Sequence, residues 1–231
     1  MKKMILLFTI VLSSMMVYAQ SPNAKEVKAI QVFLNQPSAD GTTNAQALGV
    51  NVSNPADWNG VTWSGGNVVA IDWKDKKLAG VLNLENFKKL KSVDVSRNQL
   101  TGLSVSGSAV LSELNANRNR LTQLKVDGCT ELAKLSVYHN RLLDLVFSGT
   151  PMLVNVNVSS KHLVTLNVSN ALNLTTLNCQ GNHLETLQVN GCTALKHLYA
   201  GYNKLTTVNL FGLENLLTLN VDGNEITTNL T

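Results

Sequence analysis

The sequence predicts a right-handed solenoid that carries one parallel β-sheet on its concave face, short extended or 3-10 segments on its convex face and a helical N-terminal cap. The main observation is a leucine that recurs every 21 residues and opens seven units, at Leu90, Leu111, Leu132, Leu153, Leu174, Leu195 and Leu216. A fixed period of this length is typical of stacked repeats. Each unit also alternates apolar and polar residues as a half-buried strand does, and most units reach a glycine near their end.

Counted from the opening leucine, positions 4 and 6 are apolar and have polar neighbours, as Leu114 and Ala116 do. Because successive side chains of a strand point to opposite faces, stacked units build a parallel sheet of about eight strands with these positions inward. Positions 11, 14 and 16, such as Leu121, Leu124 and Val126, fill the core from the opposite side. Position 18 is glycine in most units and Asn170 in one, and both residue types accept the left-handed conformation of a tight turn.

Position 9 predicts a structural column of buried amides, at Asn98, Asn119, Asn140, Asn182, Asn203 and Asn224. A buried asparagine satisfies backbone groups where the chain turns off the strand. Lys161 interrupts this column. A lysine accepts no hydrogen bonds and does not stay buried while charged, so its amine is expected to reach solvent and the turn to loosen locally.

The repeats, seen clearly in LSELNANRNRLTQLKVDG (111–128) and LTTLNCQGNHLETLQVNG (174–191), resemble the leucine-rich repeats of bacterial internalin-like and related secreted surface proteins. The resemblance covers residues 68–231. The segment from Asp57 to Trp63 is similar to the W-x-G-V-x motif in the N-terminal cap of plant-type leucine-rich-repeat receptors. Ala56 and Trp63 replace the flanking cysteines of that motif. We therefore expect apolar packing, rather than a disulfide, to hold the cap.

Three segments are predicted: a signal peptide over residues 1–19, an N-terminal cap over 20–67 and a solenoid over 68–231 with about eight units, the last one incomplete. The first segment has a basic start, an apolar run and the small-residue exit Val17-Tyr18-Ala19. We expect secretion, to the periplasm, the cell surface or the medium, and no membrane insertion after the signal is removed. In the cap, a capping box from Asn23 to Glu26 predicts a helix whose Val27, Ile30, Phe33 and Leu34 face one side.

Charge and motifs argue against several functional classes. Without Lys2 and Lys3 the chain carries 17 basic and 15 acidic residues, too small an excess to indicate nucleic-acid binding. Hydrolase, kinase and metalloprotease motifs do not occur, so no enzymatic activity, cofactor or metal is expected. His162 and His183 share position 10 of adjacent units, but that column reads as a solvated edge.

The three cysteines are predicted to be buried, unpaired thiols. Cys129 and Cys192 share position 19 but lie three units apart, about 14 Å at the spacing of stacked strands. That separation exceeds the reach of a disulfide. Cys179 occupies inward position 6, where other units carry valine or alanine.

The outward positions 3, 5, 7 and 8 of the concave face are free to specify a partner. The candidate binding residues are Arg97, Arg118, Tyr138, His139, Asn157, Asn178, Tyr199 and Tyr202. Tyrosine and arginine commonly anchor interfaces. The interpretation is an exported, non-enzymatic binding module whose favoured partner is a protein. Three alternatives stay open: a repeat block that self-associates or stacks end to end, a glycan-binding surface protein, and a polar sheet face with incidental aromatics.

Overall fold

The computed structural model describes residues 20–227 of the chain, and the predicted signal peptide lies outside them. The helices are α1 (Ala24–Leu34), α2 (Asn44–Leu48) and the 3-10 turn η1 (Pro55–Asp57). The strands are β1 (Val61–Ser64), β2 (Asn67–Asp72), β3 (Ala79–Asn83), β4 (Ser92–Asp94), β5 (Gln99–Ser104), β6 (Glu113–Asn115), β7 (Gln123–Lys125), β8 (Lys134–Ser136), β9 (Asn155–Asn157), β10 (Thr165–Asn167), β11 (Thr176–Asn178), β12 (Thr186–Gln188), β13 (His197–Tyr199) and β14 (Thr218–Asn220).

The large sheet of the described chain has nine strands in the order β1-β2-β4-β6-β8-β9-β11-β13-β14. The last eight are parallel and pair equivalent residues of neighbouring units, as Leu114 pairs with Leu135. The molecule is a β-solenoid of about 7 turns, which confirms the predicted fold class. The sequence did not predict β1, which pairs antiparallel with β2 and places Val61 opposite Ile71.

Short extended segments on the opposite side form two smaller parallel sheets, β3-β5-β7 and β10-β12. Leu103 of β5 pairs with Leu124 of β7, and Leu166 of β10 pairs with Leu187 of β12, each one unit apart. Between them, the leucine and valine columns of both sides meet in one continuous core. Each unit therefore buries its apolar face only against the units before and after it, as in other solenoids.

The position-9 asparagines make the same set of hydrogen bonds in successive units. Asn119 is typical: its Nδ2 donates to the carbonyls of Val95 and Ala116 at 2.9 and 3.1 Å, and its Oδ1 accepts from the Leu100 amide at 3.0 Å. Two of these three partners belong to the preceding unit. One buried side chain thus joins the strand exit of its own unit to the strand exit and the convex segment of the unit before it.

Lys161 coincides with an interruption of the convex strands. By the pattern of the other units, an asparagine here would accept from the amide of Leu142, and a lysine side chain has no acceptor to offer. The lysine is exposed, and over residues 142–147 an isolated bridge from Val146 to Asn167 replaces the strand pairing. Leu143 and Val146 are 64% and 69% exposed.

The predicted capping box at the start of α1 is wrong. Asn23 caps the helix by accepting from the amide of Lys25 at 3.1 Å, but Glu26 does not return to the helix. Its buried carboxylate accepts from the amide of Val68 in β2 at 2.7 Å. Burial raises the pKa of Glu26, and the hydrogen bond from Val68 opposes that rise. Asn23 therefore caps α1 as the sequence pattern predicts, but Glu26 hydrogen-bonds to β2 instead of to the start of the helix.

Side-chain amides of the cap satisfy the free edge of the convex sheet. Gln36 donates to the carbonyl of Val81 in β3 and accepts from its amide, both at 2.8 Å. Buried Asn44 does the same for Ala79, at 2.9 and 3.1 Å. Phe33 of α1 stacks on Trp73 with ring centroids 5.7 Å apart. Hydrogen bonding to the strand edge therefore adds to the apolar packing that the sequence predicted for the cap.

The three cysteines are free and buried. Two of them form part of a second column of side chains that bond to the backbone: Cys129 Sγ donates to the carbonyl of Val105 at 3.2 Å and Cys192 Sγ to that of Val168 at 3.1 Å. Ser108 occupies the same position in its unit and donates to an equivalent carbonyl. Desolvation raises the pKa of the Cys129 thiol to about 11 and that of Cys179 to about 12.

We expect Asn119→Ala to lower the free energy of unfolding by about 2 kcal/mol or more, because it leaves buried backbone groups without partners. The matched control is Asn155→Ala on the exposed sheet face, for which a change within about 0.5 kcal/mol is expected. Urea denaturation followed by circular dichroism measures both. Equal losses from the two variants would contradict the structural role of the buried amide.

We expect Lys161→Asn to stabilise the protein by about 1 kcal/mol, because the new amide regains one or two net hydrogen bonds at the interrupted turn. The same substitution at exposed Lys125 of β7 controls for the change of charge. The midpoint of chemical denaturation reports the difference. A less stable Lys161→Asn protein would show that the lysine has a specific role at this turn.

Candidate functional site

The sheet face holds a groove with a volume of about 700 Å³. Its floor is formed by the side chains at positions 3 and 5 of successive strands, from the cap side to the sixth unit. The polar and aromatic residues that line it are Asp72, Ser92, Asp94, Glu113, Asn115, Asn117, Lys134, Ser136, Asn155, Asn157, Thr176, Asn178 and Tyr199. Of the predicted binding residues, Asn157, Asn178 and Tyr199 lie in this groove.

The groove is acidic at the end next to the cap. Asp72 and Asp94 are register partners in neighbouring strands, so their carboxylates lie side by side. Glu113 lies in the next strand and forms an ion pair with Lys134 at 2.6 Å, the only salt bridge within residues 20–227. Asp94 accepts from the Asn115 amide at 2.9 Å but has no basic partner there. This end of the groove therefore favours a cationic group of a ligand.

Asn157 and Asn178 line the groove and also have a structural role in the fold. Each occupies position 5, and its Oδ1 accepts from the backbone amide two residues later, that of Ser159 or Gln180, at 3.1 Å. Asp94 makes the same bond in its own unit. Such local bonds shape the exit of the strand. The sequence interpretation assigned these asparagines to binding and missed this structural role.

Tyr199 departs from this column. It lies at position 5 of β13, in register with Asn178 on one side and Asn220 on the other. A tyrosine ring cannot accept the backbone hydrogen bond that the neighbouring asparagines make, so the unit gives up that bond in exchange for a half-buried aromatic surface in the groove.

The other predicted binding residues lie past the carboxyl ends of the strands, outside the groove lining. Arg97, Arg118, His139 and Tyr202 all occupy position 8, where the backbone is left-handed with φ between 53° and 58°. Gly181 has the same conformation in its unit. A side chain at such a position carries a cost of roughly 1 kcal/mol that glycine avoids. The structure therefore places these four residues on a strained rim beside the groove, and His139 lines a smaller pocket together with the groove residue Asn178.

Three of the predicted residues beside the groove, Arg118, Tyr138 and His139, contact one another. Arg118 Cζ lies 5.9 Å from the centroid of the Tyr138 ring, and that ring meets His139 edge to face with centroids 5.2 Å apart. Tyr202 is 61% exposed and covers Gly223 of the next unit so closely that an added Cβ would lie 2.7 Å from its Cδ1.

The acidic end was the part of the groove that sequence reasoning missed. Asp72 precedes the regular repeats, so it was not assigned to the outward set, and Asp94 and Glu113 were not chosen as binding residues. The sequence does contain a signal for this end, because three acids occur at outward positions of three consecutive strands. The alignment of Asp72 with the other two acids, however, follows only from strand pairing.

No group of three or more histidine, cysteine or acidic residues within residues 20–227 is placed to hold a metal ion. His162 and His183 are exposed on the solenoid flank. Over the same residues, no helix has the length and apolarity needed to cross a membrane.

The repeat fold is shared with solved bacterial proteins. No protein-family profile and no curated protein matches the sequence. The chain is similar to the functional domain of InlJ from Listeria monocytogenes, which includes a cysteine ladder, with a TM-score of 0.63 and 23% identity. The similarity covers 70% of this chain and 41% of that one. A leucine-rich-repeat protein of Leptospira interrogans gives a TM-score of 0.38 and 19% identity over 80% of this chain and 64% of that one.

The predicted likeness to bacterial leucine-rich-repeat proteins is confirmed at the level of the fold. The chain spans less than half the length of the InlJ domain, and the identity is low. These comparisons therefore leave the ligand to be argued from the groove itself.

Proposed function

We propose that this leucine-rich-repeat solenoid is a non-enzymatic binding module that holds a protein partner in the groove of its sheet face. Every strand that lines the groove, from β2 to β13, is hydrogen-bonded to a neighbouring strand on both sides, so the floor of the groove is preformed. Its lining combines carboxylates at one end, a polar middle and an aromatic ring at the other end. Such a surface suits an extended segment or loop with a basic residue towards Asp72 and Asp94 and an apolar contact at Tyr199.

The observation that carries the proposal is Tyr199. Position 5 holds asparagine in both neighbouring units, and Asn157 and Asn178 bond there to the strand exit, while the third unit has Ser136. In β13 a half-buried aromatic ring that lines the groove takes the place of that bond. Tyrosine is enriched among the residues that dominate binding energy.

The proposed setting is outside the cytoplasm, in the periplasm, on the cell surface or in the medium. The support is the sequence of residues 1–19, where Lys2 and Lys3 precede an apolar run and the Val17-Tyr18-Ala19 exit. The similarity of the fold to the InlJ domain is consistent with this setting.

A second candidate function is stacking of a further repeat block on the last described unit. Leu216, Leu219 and Val221 are only partly buried there, while the equivalent residues of inner units are fully buried. Leu217 and Phe211 are 75% and 84% exposed. A unit of similar shape, from a second copy of the chain, would bury this apolar end.

We expect Tyr199→Asn to weaken binding of a protein partner by about 2 kcal/mol, roughly 30-fold, because it removes the aromatic anchor. Stability should be unchanged or slightly higher, because asparagine restores the hydrogen bond of its column. The partner is first isolated with the immobilised parent protein from surface and secreted fractions, then titrated by calorimetry. Thermal denaturation gives the stability.

Tyr202→Ala is the matched control, since that tyrosine is exposed outside the groove, and near-parental affinity is expected. A partner that binds the Tyr199→Asn protein as tightly as the parent would refute binding in the groove. Should Leu217→Ser instead abolish binding, and with it any concentration-dependent increase in mass, the stacking function takes its place.

A further inference from the structure

The turn that follows β9, in the unit that opens at Leu153, differs from the same turn in the other regular units. Position 8 is left-handed at Arg97, Arg118, His139, Gly181, Tyr202 and Gly223, whereas Ser160 does not have this conformation. Lys161 follows at position 9, where the other units carry the asparagine that bonds to the backbone. The backbone therefore takes a different path over residues 159–162.

Two backbone amides of this turn are free, although their equivalents in other units are bonded. The position-8 amide donates to the next unit at 2.6 to 2.9 Å from Arg97, Arg118, His139, Gly181 and Tyr202. The position-10 amide donates to the preceding unit at 2.7 to 2.9 Å from Gln99, Arg120, Arg141, His183, Lys204 and Glu225. The amides of Ser160 and His162 have no hydrogen-bond acceptor within residues 20–227. Two donors of a surface turn are thus available to a ligand.

A pocket with a volume of about 390 Å³ opens at this turn, and we call it the turn pocket. Its lining includes Ser160, Lys161, Gln180 and Gly181, together with His139 and Asn178. Position 8 carries a small residue in two consecutive units here, Ser160 and Gly181, whereas the three units before them carry arginine or histidine. The pocket therefore lies at a gap in the row of long rim side chains.

The turn pocket offers hydrogen-bond donors and one cation. Lys161 is exposed, and the only salt bridge within residues 20–227 joins two other residues. The side chain of Gln180 makes no hydrogen bond within the same residues, so its amide is available as well. The hydroxyls of Ser159 and Ser160 already donate, to Asn157 Oδ1 at 2.8 Å and to the Asn140 carbonyl at 2.7 Å.

Acidic side chains are absent from the surroundings of the turn pocket. Positions 7 to 11 hold no aspartate or glutamate in the third, fourth or fifth unit, over residues 138–142, 159–163 and 180–184. An ammonium group beside free backbone N–H groups is a typical setting for an anion, because charge-assisted hydrogen bonds form to each donor. The ligand of this pocket is therefore expected to carry a negative charge.

From this geometry we propose that the turn pocket binds the carboxylate of an acidic side chain of the protein partner. The inference rests on the proposed function, because Asn178 lines both the groove and the turn pocket and one partner segment can reach both. The single ammonium of Lys161 matches the one charge of a carboxylate, whereas a phosphate dianion would leave a charge unmatched.

The two charged parts of the binding surface set a spacing for the partner. Asp94 lies in the first unit and Lys161 in the fourth, so they are separated along the solenoid by three strand spacings, about 14 Å. An extended segment spans that distance with about four residues. The partner segment is therefore expected to carry its basic and its acidic residue about four positions apart.

Acetate is the probe for the site, because it presents a carboxylate without the rest of a partner. Isotope-labelled protein is titrated with sodium acetate, sodium chloride keeps the ionic strength constant, and NMR follows the backbone amides. Lys161→Met removes the charge and offers no amide that could refill the asparagine position. Lys125→Met, at an exposed lysine of β7, is the matched control. Lys161→Asn restores the residue that closes the turn in the other units.

We expect saturable shifts of the Ser160, Lys161 and His162 amides in the parent and in Lys125→Met. These shifts should be lost in Lys161→Met and in Lys161→Asn, while the melting temperature of Lys161→Met stays near that of the parent. The bonded amides of Arg118 and Arg120 should not respond in any of the proteins. Tyr199→Asn should keep the acetate response, so failure of the groove and failure of the turn pocket are distinguishable.

The isolated partner provides the second readout. Lys161→Met should weaken its binding about tenfold, because a charge-assisted hydrogen bond is lost, and Lys125→Met should bind it like the parent.

Several outcomes would overturn the inference. Absence of acetate shifts at the turn, or equal shifts in Lys161→Met, would show that the turn is only a local irregularity of the repeat. A stronger response to inorganic phosphate than to acetate would assign the pocket to a phosphoryl group. Parental partner affinity of Lys161→Met, with the acetate response of the parent intact, would show that the carboxylate is not the partner's and would leave the groove proposal standing.

Discussion

The structure depends on how each unit satisfies the backbone where the chain leaves the sheet. At that point carbonyls and amides face the core, where water cannot reach them, and an unpaired group there is costly. The amide of Asn119 meets this demand with three bonds, two of them to the unit before. The same side chain therefore closes its own turn and links it to the unit before. The parallel pairing of the sheet continues through the unit of Lys161, which lacks this amide, so backbone pairing maintains the register there.

Straight columns explain why neighbouring positions can serve different purposes. Successive residues of one unit lie on different faces of the solenoid, whereas residues at the same position of successive units lie on the same face. Position 5 lines the groove, position 8 forms the strained rim and position 10 faces the flank. The cap also joins the sheet through side-chain amides. Gln36 and Asn44 hydrogen-bond to the free edge of β3, as the backbone of a further strand would.

The architecture was predictable because the period and the alternation of apolar residues report burial directly. The sequence alone did not show which of two possible hydrogen-bond partners a polar side chain binds. Glu26 suits a helix terminus and a strand amide equally well, and only packing of α1 on the sheet decides for Val68. The sequence predicts Asn157 to be a binding residue, whereas its Oδ1 accepts a hydrogen bond from the Ser159 amide at the end of the strand. The predicted binding set failed to separate groove from rim for a related reason, because the left-handed turn after Arg97 and its equivalents redirects the chain.

The thiols at position 19 have a consequence for the chemistry of the chain. Burial raises the pKa of the Cys129 thiol to about 11, so the protonated form prevails at pH 7. Since the thiolate is the species that attacks disulfides and peroxides, this sulfur is a poor nucleophile, and its burial and its bond to the Val105 carbonyl protect it further. In the folded protein these buried thiols are therefore poorly placed to react with oxidants. A serine such as Ser108 and a cysteine become interchangeable donors in this column, and sulfur is tolerated there as an ordinary hydrogen-bonding atom.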